Sequence, residues 1–491
     1  MRDPFAALTR KQRLQAWRLT ADRLVRRPWR PGRLVRRHEG PANLVLVGID
    51  TLRRDHVTPE LMPNLLARAS AGFDFMDTSA PAPWTLPSFA GALTGLMPAQ
   101  HGARLTGDVR NMDRQPPGRL RSDVTTLAGH LARQGYRTCA VYANQFFAFG
   151  LAESFGEHVY RNLRADALLD VALEWIRRHA DGPFCCFVLL NDPHEPTTPR
   201  PALLEPELAR LDVPPPHARE LRALAGWGDP ARPQAHLGLC GWPLPEAARR
   251  ARKLKAAIYR AVVHEVDLAL GRFLGRLDAW GLTDHTLCSV FSDHGEEFCD
   301  HAAEAHAWDH DPRRVRGIGH GHTQFQELLG VPWLGWGAGV PQRGRVARPV
   351  SLLDLTPTLV DWLGLAPFPL PPLPLAALGG RSLAAGTDID DDRLLLAEAI
   401  AYGPDVVALR RGRWKLIAHR DGRPLGLYDL AADPRERDDR QQAEPEVLRS
   451  LRQDLAVWRE AAPSFDGHGR RGWDSLTSEV RQRLKDLGYG E

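Results

Sequence analysis

Asn43-Leu-Val-Leu-Val-Gly-Ile49, closed by Asp50, decides how the rest of the chain is read. A short continuous apolar run is the mark of a strand buried on both faces of a parallel sheet. The pattern returns at Arg137–Tyr142, Phe184–Leu190, Thr286–Phe291 and Val331–Trp336. Helical periodicity separates these runs at 125–134, 166–180 and 256–280. Alternating strands and helices predict an α/β fold with a mostly parallel central sheet sandwiched by helices. After the Pro/Leu-rich run 367–374 the pattern changes. Four short apolar segments, 394–400, 406–410, 414–417 and 426–429, followed by a helix near 444–458, predict a small C-terminal antiparallel α+β subdomain. The expected organisation is a basic arm (1–40), a catalytic domain (41–385) with an irregular insertion (200–248), and a C-terminal subdomain (386–491).

The chain has 491 residues and a net charge of +4. Residues 1–40 carry twelve Arg/Lys and three acids, +9, which leaves −5 for the remainder. A basic arm on a mildly acidic body leaves contact with an anionic surface open; nothing in the pattern predicts a specific nucleic-acid partner. The sequence shows no secretory h-region and no apolar run of about 20 residues, so a soluble, cytoplasmic protein is expected, with peripheral membrane association open. The six cysteines form no CxxC pair and are expected to be reduced core residues. Oligomeric state is not encoded in any feature of this kind.

Three of the buried runs end in chemistry-bearing residues: Asp50, His194 (in Asn191-Asp-Pro-His194) and Asp293-His294. In open parallel sheets, sites form at the carboxyl ends of strands. A further segment, Ala80-Pro-Ala-Pro-Trp-Thr-Leu-Pro-Ser88, sets Thr85 at the mouth of a predicted helix with Pro87 in its first turn. The free N–H groups of that turn favour a tetrahedral anion beside the hydroxyl. Two carboxylates, an imidazole and a hydroxyl suit a divalent cation. Taken singly, Thr85 reads as a helix N-cap and His194 as a surface histidine.

Together these motifs, with Leu93-Thr-Gly95, His101-Gly102, Ser292-Asp-His-Gly-Glu296, Gly319-His-Gly321 and the later Trp414-Lys-Leu-Ile417 and Leu427-Tyr-Asp-Leu430, resemble the sulfatase branch of the alkaline phosphatase superfamily. The resemblance spans about 42–490 and implies an alkaline phosphatase/sulfatase-like fold. It implies metal ligation by Asp50, Thr85, Asp293 and His294, and Thr85 in the nucleophile position. It implies catalytic or substrate contacts for His194 and His320, with Glu296 and His322 near the substrate and Arg53 and Asp55 in support. The implied cofactor is one divalent ion (Mn, Zn or Ca). A second metal is left open by the ligand-rich run Asp300-His301, Glu304, His306, Asp309-His310-Asp311.

The chain departs from the family pattern at four points. Thr85 stands where working sulfatases carry the Cys or Ser that becomes formylglycine, Phe89 where an Arg follows, Leu96 where a base is common, and Thr51 where a second Asp is common. The leading expectation is therefore a metal-dependent hydrolase of phosphate mono- or diesters acting on a small molecule through Thr85. Sulfate-ester hydrolysis without formylglycine is the alternative. A phosphoryl-group transferase and a catalytically silent interaction module are the remaining readings.

Overall fold

The computed structural model describes residues 40–461, apart from 108, 113, 219, 221–245, 309–310, 313–316, 371–377, 385–389 and 391. The arm, the expected boundary at 385, most of the insertion and the closing segment after 461 lie outside the described residues.

The central sheet has eight strands: β1 (Asn43–Ile49), β2 (Phe73–Ser79), β3 (Arg137–Tyr142), β4 (Glu157–Tyr160), β5 (Phe184–Leu190), β6 (Thr286–Ser292), β7 (Gly330–Gly337) and β8 (Gly344–Ser351). Their order is β8-β2-β7-β6-β1-β5-β3-β4. All neighbours are parallel except β7, which runs antiparallel to both β2 and β6. The sheet is thus α/β and mostly parallel, as the apolar runs predict. β2, β4 and β8 escape the sequence reading because they are not continuous apolar runs. β2 interleaves Asp74 and Asp77 with its phenylalanines, and the edge strand β8 carries Arg345, Arg348 and Pro349.

Alternate residues of β1 serve two cores. Val45, Val47 and Ile49 pack with the helices α2 (Ala165–His179) and α3 (Glu246–Ala279), while Leu44 and Leu46 join the core on the opposite face. α3 begins ten residues before the expected start at 256. Its first turns are rich in Arg and Lys, which conceals the buried Ala251, Leu254 and Lys255. The opposite face receives α1 (Thr85–Thr94), every residue of which is buried.

α1 lies close against β1. A Cβ at Gly48 would sit 2.6 Å from Phe89 Cε1. The Phe89 ring is itself held edge-on by Phe147, Phe187 and Phe291. Ser88 Oγ donates to the Asp293 carbonyl at 2.6 Å, and His101 Nε2 donates to the Pro87 carbonyl at 3.1 Å. α1 ends at Gly95, whose φ of 69° needs a residue without Cβ.

The second sheet is antiparallel, β9 (Leu394–Ala397), β10 (Val406–Arg411), β11 (Trp414–His419) and β12 (Pro424–Asp429), in that order, with α4 (Pro445–Ala461) packed on it. Buried polar contacts join it to the main body. Lys415 Nζ pairs with Glu436 Oε1 at 2.7 Å and with Gln326 Oε1 at 3.1 Å. His301 Nδ1 lies 2.6 Å from Glu327 Oε1, its Nε2 faces the Glu436 carbonyl, and its ring stacks on Phe325.

One expectation is corrected. Cys139, Cys185, Cys186 and Cys288 are free and buried, but Cys299 is disulfide-bonded. It sits just past a two-residue strand (Glu297–Phe298), not in a sheet interior, so the apolar pattern that marks a core cysteine does not extend to it. Among the described residues no helix is long and apolar enough to cross a membrane.

Two outcomes follow from this packing. Gly48→Ala forces the Phe89 ring out of a filled core and should cost about 1–3 kcal/mol in urea unfolding. Burial alone would lower the His301 pKa, but the Glu327 charge and hydrogen bond raise it to about 9. A folded-state pKa above the unfolded value gives stability that is full below about 6.5 and lost as pH rises through about 9. Unfolding free energy should fall by on the order of 1–3 kcal/mol across that window, and His301→Gln should flatten the slope.

Candidate active site

Strand register brings the chain's polar strand ends together. Ile49 pairs with Leu190 on one side and Ser292 on the other, so Asp50 and Asp293 emerge side by side. Asp50, Thr85, Asp293 and His294 are all buried, and one ligand atom from each of Asp50, Asp293 and His294 falls within 4.8 Å of the others. His294 Nδ1 donates to the Gly295 carbonyl at 2.8 Å. That bond leaves Nε2 as the lone-pair nitrogen, directed at Asp50 Oδ1 (3.4 Å), Asp293 Oδ2 (3.3 Å) and Thr85 Oγ1 (3.4 Å).

Asp50 Oδ1 and both Asp293 oxygens are buried without a hydrogen-bond partner. Burial, reinforced by the Asp50 charge, pushes the Asp293 carboxyl well up. Burial and the neighbouring His320 push His294 down to about 3, which keeps it neutral. Orphaned carboxylate oxygens around a neutral imidazole nitrogen are the donor set of a divalent cation. The residues therefore fit the metal the sequence implies.

Thr85 is the first residue of α1 and not its N-cap, a place taken by Trp84. The preceding Trp84 is extended and supplies no side-chain cap, so the first-turn N–H groups are not taken by a capping oxygen. Trp84 Nε1 donates instead to the Ala399 carbonyl at 2.6 Å, which ties the helix entrance to the chain leaving β9.

The histidines form a second layer. The His294 and His320 rings lie 4.4 Å apart between centroids, and His194 and His320 lie 4.9 Å apart. His320 Nδ1 is 3.2 Å from Glu296 Oε2. Burial and the nearby Glu195 raise the Glu296 carboxyl to about 7. His194 Nδ1 donates to the Glu195 carbonyl. Asp192 accepts from the Ala165 N–H at 2.9 Å, anchoring the His194 loop to the start of α2. Arg53, buried, donates to Asp55, Asp300 and the Glu296 carbonyl.

His322 stands apart from this layer. It is buried with Nε2 2.8 Å from Glu297 Oε2, so its partner is internal to the fold. Within the ligand-rich run, Asp300 pairs with Arg53 and His301 with Glu327. His301, Glu327 and Glu436 form a second buried group, but the Lys415 ammonium already pairs with Glu436 and both His301 nitrogens are engaged. The side chains of His306, Asp309 and His310 lie outside the described residues.

Phe89 takes no part in the site chemistry. It points into the aromatic core, where no guanidinium could be solvated.

The sequence reading missed two residues. Asn144 Nδ2 donates to Asp50 Oδ2 at 2.6 Å and lies 3.4 Å from Thr85 Oγ1. Asn144 follows the buried strand β3 much as Asp50 follows β1, and that parallel was its signal. Lys255 is buried in α3 and pairs with Glu195. A cavity of about 310 Å³ opens beside the site, lined by Asn144, Phe146, Arg164, Asp192 and His194 among others.

The Sulfatase family profile matches residues 42–365. The chain belongs to the sulfatase family. Among relatives of this family, arylsulfatase K from Rattus norvegicus is 30% identical over 210 residues, 40% of this chain and 34% of that protein. The chain thus spans about a third of that relative's length. Choline-sulfatase from Rhizobium meliloti (strain 1021) is 24% identical over 436 residues, 76% of each chain. Among solved structures, BT4656 in complex with D-glucosamine-2-N,6-O-disulfate superposes with a TM-score of 0.63 at 17% identity, over 86% of this chain and 98% of that one. The phosphonate monoester hydrolase of Agrobacterium radiobacter superposes with a TM-score of 0.62 at 20% identity, over 86% and 96%. These structural likenesses establish the sulfatase-like fold.

Two substitutions test the site. Asp293→Asn should weaken manganese or zinc binding at least tenfold in isothermal titration. Asn144→Ala should weaken it by less, because Asn144 holds Asp50 through a hydrogen bond and does not itself supply a ligand oxygen to the group.

Proposed function

We propose that this protein hydrolyses esters of a tetrahedral oxyanion, phosphate or phosphonate in preference to sulfate, with Thr85 as nucleophile and one divalent cation held by Asp50, Thr85, Asp293 and His294. The observation that carries this reading is the position of Thr85 Oγ1, 3.4 Å from His294 Nε2 inside a buried carboxylate–imidazole group at an uncapped helix start.

A bound cation would lower the pKa of the Thr85 hydroxyl and polarise the ester oxygens. The first turn of α1 presents N–H groups to the oxyanion. Asn144 holds the Thr85 hydroxyl and Asp50 in register. Thr85, as its alkoxide, forms a bond to phosphorus while the ester P–O bond breaks. The departing alkoxide takes a proton from an imidazolium, His320 or His194, which stand together beside His294. Glu296 holds His320 through Nδ1 and leaves Nε2 for that exchange. In the second half, water gives its proton back to the same imidazole and attacks phosphorus, and the Thr85 alkoxide leaves.

Threonine favours phosphorus. A secondary alcohol cannot be oxidised to the aldehyde that sulfatases use, whereas it can accept and release a phosphoryl group. A phosphonate monoester hydrolase among the structural neighbours agrees with this direction. Sulfate esters are the second reading, supported by the arylsulfatase and choline-sulfatase relatives. The cysteine in a disulfide and the absence of a spanning helix among the described residues leave the cellular compartment to be assigned by fractionation.

Turnover of aryl phosphate, aryl phosphodiester, aryl phosphonate and aryl sulfate, side by side with manganese or zinc, separates the readings. Phosphorus esters should be faster. Thr85→Ala should lower kcat/KM by about 10³ or more on the preferred ester, and Thr85→Ser should retain most of it. Full activity in Thr85→Ala would end the nucleophile assignment.

A further inference from the structure

A separate cavity of about 330 Å³ opens beside Arg53. Arg53, Arg54, Arg252, Arg435 and Arg437 all line it. Its acids are already matched. Asp55 and Asp300 pair with Arg53, Asp77 with Arg410, and Glu327 with His301.

The guanidinium groups are not matched in the same way. Arg54 Nη2 donates to Asp74 at 2.9 Å, but Arg54 Nη1 is buried and has no hydrogen-bond partner. Arg252 acts on Asp300 through its charge without a direct ion pair. The side chains of Arg435 and Arg437 form no ion pair among the described residues; only their backbone N–H groups are held, by Asp433. Arg252, Arg435 and Arg437 thus bring guanidinium groups without ion-pair partners to a cavity whose four carboxylates, Asp55, Asp77, Asp300 and Glu327, are each paired already. Buried donors are ordinarily satisfied, and guanidinium forks match the oxygens of phosphate and sulfate.

We propose that this cavity is a second, non-catalytic site for a tetrahedral oxyanion, phosphate or sulfate, either free or at the end of a larger molecule. Arg54 would supply the inner donor, and Arg252, Arg435 and Arg437 would close the mouth. None of Asp50, Thr85, His194, Asp293, His294 or His320 lines this cavity; Arg53, which does, donates to the Glu296 carbonyl at 3.0 Å.

Isothermal titration of the full chain at low salt, with inorganic phosphate, inorganic sulfate and a hexose 6-phosphate as probes, tests this. In a His320→Ala background, which weakens phosphate at the proposed Thr85 site, the remaining phosphate affinity should fall at least tenfold on adding Arg54→Gln or the double variant Arg435→Ala/Arg437→Ala. The double variant alters exposed side chains only, so it remains informative if Arg54→Gln fails to fold. Equal binding of the hexose phosphate supports recognition of a terminal group, and its exclusion supports a free anion. Unchanged affinity in the double variant overturns the proposal. So does an equal loss in Arg423→Ala, whose side chain is 69% exposed elsewhere on the surface. Turnover is not read in this experiment, so its outcome is independent of the chemistry at Thr85.

Discussion

The contact between Gly48 and Phe89 is the constraint on which the site depends. A sheet strand and a helix can approach this closely only where the strand has no side chain, and β1 has its glycine two residues before Asp50. The same contact fixes α1 by its fifth residue and so sets the height of Thr85 above the strand ends. The Ser88 bond to the Asp293 carbonyl fixes the helix against the neighbouring strand. The Thr85 hydroxyl and the Asp50–Asp293–His294 group are therefore placed by backbone and core packing, with no reliance on long flexible side chains.

Phe89 also changes the electrostatics. A family member with arginine there brings a cation to the oxyanion; this chain spends the position on packing. What remains around Thr85 is two buried carboxylates, a neutral imidazole and an amide. Such a group has little attraction for an anion of its own, so positive potential at Thr85 would come from the α1 dipole and from a cation held by the carboxylates.

Much of this was legible in the sequence. Continuous apolar runs are visible because both faces of a parallel strand are buried, and Asp50, Asp293 and His294 are visible because they end such runs. The direction of β7 was not, since an apolar run carries no sign of polarity. β2 and β8 were hidden by buried acids and edge arginines that are explained only by partners far away, as Asp74 is by Arg54. Asn144 was hidden because an amide after a strand is common, and only its contacts with Asp50 and Thr85 distinguish it. His322 was drawn in by its neighbour His320. Two residues apart along a loop, one turns toward the histidine layer and the other toward Glu297.

The buried network of His301, Glu327, Glu436, Lys415 and Gln326 joins the antiparallel sheet to the loops that follow β6. Each ion pair lies within one side, His301 with Glu327 and Lys415 with Glu436, and the seam is crossed by buried hydrogen bonds from His301 Nε2 to the Glu436 carbonyl, from Lys415 Nζ to Gln326 Oε1 and from the Gln326 N–H to Glu436 Oε2. Removing the C-terminal sheet would uncover the His301–Glu327 pair and leave His301 Nε2 and the Gln326 N–H without their partners, and the sheet alone would lose the Gln326 acceptor of Lys415. The small sheet is therefore not a detachable module. Exchange of this region between homologous chains would succeed only where both halves of the network travel together.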